Sequence, residues 1–145
     1  MSLIAVSTAF DLRLSAFAGG AVNAAHKADL QVEGTLYTPK TGRPFYSSRM
    51  SAYTATPLGT GPDPVVQERG IYQISINRPG PEGMRVAGLI AADLAAYFKR
   101  AQLIAAVPNA PAQKSITIEY ATEMPPTQAD DWIVMPVLVH WFTLA

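Results

Sequence analysis

No cysteine occurs in the 145 residues, which excludes a disulfide framework, a thiolate zinc site and a cysteine nucleophile, and leaves the redox compartment open. Charge is scarce: Asp, Glu, Lys and Arg make up 15% of the chain, against a typical ~25%. Eleven basic side chains balance eleven acidic ones. A neutral chain lacks the broad positive surface needed to neutralise nucleic-acid phosphates, so DNA binding is disfavoured. Imidazole is limited to His26 and His140. No run of 18 apolar residues occurs, so nothing reads as a membrane span. Asp11 and Arg13 interrupt the apolar N-terminal stretch and no basic region precedes it, so no signal peptide is expected and the cytoplasm is the default.

Apolar residues are plentiful, at 49%. A chain of this length can bury about 68–70% of its unfolded surface around one core, so residues 1–145 are read as a single domain. A lone soluble domain usually carries a net charge of magnitude about 2–8. A neutral, sparsely charged chain therefore suggests a surface that another molecule covers.

Leu3, Val6, Phe10, Leu14 and Phe17 fall at spacings of 3, 4, 4 and 3, one stripe of a helix running from an N-cap at Ser2 to a stop at Gly19-Gly20. Ala21 to Pro44 has no sustained period and reads as a long loop with a short strand around Leu30 to Tyr37, the first candidate for a partner-binding element. Phe45 to Thr56 has strand character. Pro57 to Pro64, with three prolines and two glycines, is expected to be irregular. In Arg69 to Arg78, Tyr72, Ile74 and Ile76 alternate with more polar residues, the pattern of a half-buried strand. Met84, Ala87, Ala91, Leu94 and Phe98 predict a second helix to Arg100, its alanines and Gly88 allowing close approach to a sheet.

Lys114 to Thr122 reads as a further strand, Pro125-Pro126 and Asp130-Asp131 as a turn, and Trp132 to Phe142 as a closing strand apolar on both sides. Two apolar sides imply a central position or a second covered face. Pro136 argues for an edge or a bulge. An edge strand covered by another subunit would reconcile the two. The whole predicts an α+β domain: a mainly antiparallel sheet of about four strands with two helices packed on one face.

Chemistry is hard to find. His140 sits within an apolar strand, where a packed or interface histidine is the simpler account. His26 and Asp29 could share a helix face, but no third metal ligand is indicated. Asp130-Asp131 suits a solvated turn better than acid/base work. The junction from Arg78 to Arg85 invites comparison with a phosphate loop but matches neither glycine-rich fingerprint, and Glu82 would repel a phosphate. Lys40, Arg43 and Arg49, interleaved with Tyr37, Phe45, Tyr46 and Tyr53, fit the rim of a protein interface or a nucleic-acid strand. No catalytic, cofactor-binding or metal-binding residue is assigned.

The order of these elements, with T-P-K-T-G-R-P-F-Y at Thr38 to Tyr46, R-G-I-Y-Q-I-S-I-N-R-P at Arg69 to Pro79, a small-residue helix ending in Tyr97-Phe98, and D-W-I-V-M-P-V-L-V-H-W at Asp131 to Trp141, resembles the tail-terminator, or tail-completion, proteins of long-tailed phages and prophages. The resemblance implies a structural subunit of the virion tail, assembled in the bacterial cytoplasm, that forms a ring, commonly a hexamer, on the end of the tail tube. Its implied partners are itself, the tail tube protein and the head-side connector, with no membrane and no nucleic acid beyond what passes through the ring. It carries over no catalytic residues. Candidate contacts are Arg43, Tyr46, Pro57, Pro62, Pro64 and Arg69. Two alternatives remain at this point: a head-completion or connector protein, and a small-molecule-binding or enzymatic α+β domain using His140 or the Gly80 to Gly83 turn.

Overall fold

A computed structural model describes residues 3–20, 23–32, 38–39, 42–62, 64–80, 83–99, 102–106, 113–129 and 131–144, with the backbone alone at 3–5, 102–106, 113–114, 129 and 144. The chain runs α1 (Leu3–Ala18), a 3-10 turn (Ala24–His26), β1 (Asp29–Val32), β2 (Phe45–Leu58), β3 (Val65–Pro79), α2 (Met84–Lys99), β4 (Gln102–Ala106), β5 (Gln113–Glu123), β6 (Thr127–Ala129) and β7 (Trp132–Leu144). No helix among the described residues is long and apolar enough to cross a membrane.

The helical stripe holds. Val6, Phe10, Leu14 and Phe17 are all wholly buried. Gly19 and Gly20 close α1 by donating to the carbonyls of Ser15 and Phe17, at 2.9 and 3.0 Å. Gly20 does so at φ 82°, a left-handed conformation that favours glycine. The N-cap expected at Ser2 lies outside the described residues. In α2, Ala87, Ile90, Ala91, Leu94 and Phe98 face inward, but Met84 is 50% exposed. Gly88 is not needed for close approach either, since a Cβ there would meet nothing within 4 Å. The small inner-face residues that matter are Ala87 and Ala91.

The sheet is larger than expected and mixed. Six strands lie side by side in the order β1-β2-β3-β7-β5-β4, and β6 pairs with β7 as a seventh. Among the described strands only β1 and β2 pair in parallel. Both helices cover one face, lined by Tyr46, Tyr72, Ile74, Ile76, Met135, Val137, Val139 and Trp141. Phe10 is the hub of this core. Its ring stacks on Tyr72 at 4.7 Å and lies 6.0 Å from Trp141 and 6.1 Å from Phe98.

Three proline readings change. Pro57 is not in an irregular loop: it lies within β2 opposite Val66, and pairing continues to Leu58 and Val65. Pro125-Pro126 makes no hairpin turn. It interrupts one long arm, β5 then β6, laid along β7. Nor is β7 an edge strand, because β3 and β5 flank it. Pro136 is tolerated there because its carbonyl accepts from the Met124 amide at 2.8 Å. The nitrogen and carbonyl of a strand residue point to the same side, so the missing N–H faces the break between β5 and β6 and costs the β3 ladder nothing.

Candidate functional site

Strand alternation leaves the sheet with a second face that neither helix covers. Near β1 and β2 it is polar: Gln31, Ser47, Arg49, Gln73 and Ser75 help to line an open hollow of about 400 Å³. Arg49 donates to Gln73 at 3.3 Å. Toward β5 the face is apolar and aromatic. Ile71, Tyr120 and His140 help to line a second hollow of about 260 Å³. The His140 ring stacks on Tyr120 at 4.0 Å, and the Arg69 guanidinium sits 5.8 Å from the Phe142 ring and 3.7 Å from Glu119. Along β7 the outward residues Trp132, Val134, Pro136, Leu138, His140 and Phe142 are half-buried and none carries a formal charge.

The second feature is the hairpin of β2 and β3. Among the described residues Gln67 is the last of β3 to pair with β7, opposite Leu144, and the β2–β3 pairs Pro57–Val66 and Leu58–Val65 form an arm beyond that point. Leu58 and Val65, directly opposite each other, are each 47% exposed.

The sequence candidates divide between these places. Pro57 and Pro62 are exposed on the arm and its loop, Pro64 is half-buried, and Arg69 is exposed on β3. Arg43 is exposed at the far end of β2 and pairs with Asp29 at 2.8 Å. Tyr46 is no surface residue: it is wholly buried, its hydroxyl donating to the His26 carbonyl at 2.6 Å. Its place in the alternation with Ser48 and Met50 could have signalled this. The exposed Leu58 and Val65 were missed, because the proline-rich loop seemed to end the strand before them. Lys40 and Tyr37 lie outside the described residues, as does Asp130.

His26 is not placed for the metal pairing considered above. His26 is buried, its ring stacked on Phe17 at 4.2 Å and its Nε2 2.9 Å from the Asp93 carboxylate. Asp29 is committed to Arg43 instead, so the His26/Asp29 pair is not brought together. Among the described residues no three His, Asp or Glu side chains gather to hold a metal ion. The Gly80 amide donates to the Asp131 carbonyl at 2.6 Å and the Gly83 amide to the Gly80 carbonyl at 3.1 Å. These two glycine amides are thus taken, one by the strand end at Asp131 and one within the turn.

Two tyrosines, Tyr46 wholly buried and Tyr53 half-buried, give the domain an alkaline limit. Burial pushes the Tyr46 hydroxyl from 10.0 up to about 12, with Arg78 opposing. Tyr53 is pushed to about 12 by burial, then by the hydrogen bond it donates to Glu68 at 2.9 Å and by that carboxylate's charge. The native state keeps these protons where the unfolded chain gives them up, so stability is full below pH 10 and falls as pH rises from 10 toward 12. Tyr46 alone should remove about 3 kcal/mol across that window. Urea unfolding followed through it, with tyrosinate absorbance as a second signal, should show the loss, and Tyr46→Phe should flatten the dependence.

A family model described as phage tail terminator protein matches residues 5–141. No curated protein matches the chain. A solved structure 21% identical in sequence superposes over 100% of this chain and 96% of its own, with a TM-score of 0.74, a likeness of fold. Matched over nearly its whole length, the chain belongs to the phage tail terminator protein family, a family of structural components of the phage tail.

Proposed function

We propose that this chain assembles as a ring, commonly of six copies, on the end of the tail tube, where it stops addition of tube subunits and presents its other side to the head-side connector. The observation that carries the proposal, beside family membership, is the uncovered sheet face along β7. Five of the six outward residues from Trp132 to Phe142 are aromatic, aliphatic or proline, and all six are uncharged. That composition suits burial against another protein, since few charges need desolvating. A closed heterologous interface makes a ring that cannot grow. Arg43, Pro57, Pro62, Pro64 and Arg69 are the contact residues we assign to the assembly, the last four on or at the base of the β2–β3 arm.

Deleting the gene from the phage or prophage that carries it should give overlong tails by electron microscopy. Normal-length free tails beside filled heads would instead indicate a head-joining role and overturn the terminator proposal.

A further inference from the structure

Of the outward side chains along β7 on the uncovered face, Trp132, Val134, Pro136, Leu138 and Phe142 cannot ionise, and His140 can. Histidine is the side chain whose charge ordinarily changes between about pH 5 and 8. The row is therefore neutral or positive according to one proton.

Charges reach this imidazole from both neighbouring strands. On β3, Ile71 pairs with His140, with Arg69 and Gln73 at the next outward positions on either side. On β5 a bulge between Ile118 and Tyr120 adds Glu119, so Glu119 and Tyr120 together oppose the one His140. The Tyr120 ring stacks on the imidazole at 4.0 Å. Arg69 and Glu119 line the same hollow as His140 and meet across β7 at 3.7 Å, their charges cancelling. From β2 the hollow takes Ala52, Tyr53 and Thr54. Of these only Tyr53 titrates, and its hydroxyl, pushed up to about 12, stays protonated. Among the described residues lining the hollow, a protonated His140 would be the one uncancelled charge.

We infer that a proton on His140 controls whether this face can be covered: neutral imidazole lets the ring assemble, and imidazolium undoes the contact. This rests on the ring proposed above and names what regulates its covered surface. In a free copy His140 is half-buried and still meets water, and the Tyr120 ring offers an imidazolium a favourable face. A covering protein takes the water away, and an ion removed from water must be paired or lose its charge. Glu119, the carboxylate in the hollow, is already shared with Arg69, whose own charge repels an imidazolium. The covered state therefore binds fewer protons than the free one. Contact is strong above the range in which histidine titrates and weakens as pH falls through it, by up to roughly tenfold per pH unit.

The test compares wild type, His140→Gln, His140→Phe and His140→Arg by light scattering across concentration, at about pH 8 and about pH 5, alone and with tail tubes from a strain lacking this protein. Wild type should need a concentration higher by roughly tenfold or more to assemble at the lower pH. The glutamine and phenylalanine variants should assemble alike at both, and the arginine variant at neither. Both neutral variants keep every other titrating group, so their assembly at the lower pH also shows that the fold survives there. Wild type that assembles equally well at both pH values, or neutral variants that lose assembly along with it, would overturn the proton control while leaving the ring standing. Wild type that stays monomeric at both, tubes included, would overturn the ring itself.

Discussion

Trp141→Ala should destabilise the domain by about 3–5 kcal/mol, read as a fall in the urea midpoint with little change in slope. The indole is wholly buried at the centre of the inner sheet face. It lies 6.0 Å from Phe10 and 6.2 Å from Tyr53, and its N–H donates to the Met50 sulfur at 3.2 Å. Truncation removes these contacts together and leaves a cavity that strands on both sides cannot easily close. A domain of this kind has about 5–15 kcal/mol in total, so the variant should sit near the edge of folding. Trp141→Phe should recover much of the loss. A midpoint within experimental error of wild type for the alanine variant would show that the core is not organised around this ring.

Gly70→Ala is the second large effect expected, and it acts from the same place. The backbone at Gly70 is ordinary strand, so the need for glycine is one of space. A Cβ would lie 2.6 Å from the Ala52 carbonyl oxygen and 2.7 and 2.9 Å from two atoms of the Trp141 ring. Overpacking of this sort costs about 1–3 kcal/mol, occasionally more, and here one of the obstructing atoms is backbone. Gly70→Val should be worse. Combining Gly70→Ala with Trp141→Leu should cost less than the sum of the two, with a coupling of about 0.5–3 kcal/mol. Relief should stay incomplete, because Ala52 is untouched. Strict additivity in that cycle would mean that the indole does not rest on Gly70.

Why glycine is required at position 70 could not have been read from the sequence, where R-G-I-Y simply begins an alternating run. The alternation itself was legible, as was the stripe of α1, because periods of 2 and 3.6 reflect one buried face each. What escaped or was placed only roughly were elements whose stability comes from elsewhere. The short strand expected around Leu30 to Tyr37 is β1 at Asp29–Val32, four half-buried residues held by parallel pairing to β2. β4, in the short run Q-L-I-A-A, is an edge strand against β5, and β6 has three residues. None is long enough to show a period. The two apolar sides of β7 were read correctly, but Pro136 pulled its placement to an edge. Only the break at Met124 to Pro126, which receives the missing donor, allows a proline in the middle of the sheet. At the candidate surface, exposed arginines and prolines were visible from composition. Tyr46 was misplaced because an aromatic residue beside a loop reads as interface or core with equal ease.

The position of β7 has a bearing on how the chain reaches its fold. The strand that joins β3 to β5 comes after every other element in chain order. During synthesis from the N-terminus, the β2–β3 hairpin and the β4–β5 pair must each wait, with long-range contacts still unmade, for the strand that fits between them. Closing late over such distances makes for slow folding, and the waiting halves expose edges that can pair wrongly. Until β7 is in place, the two halves of the sheet share no strand.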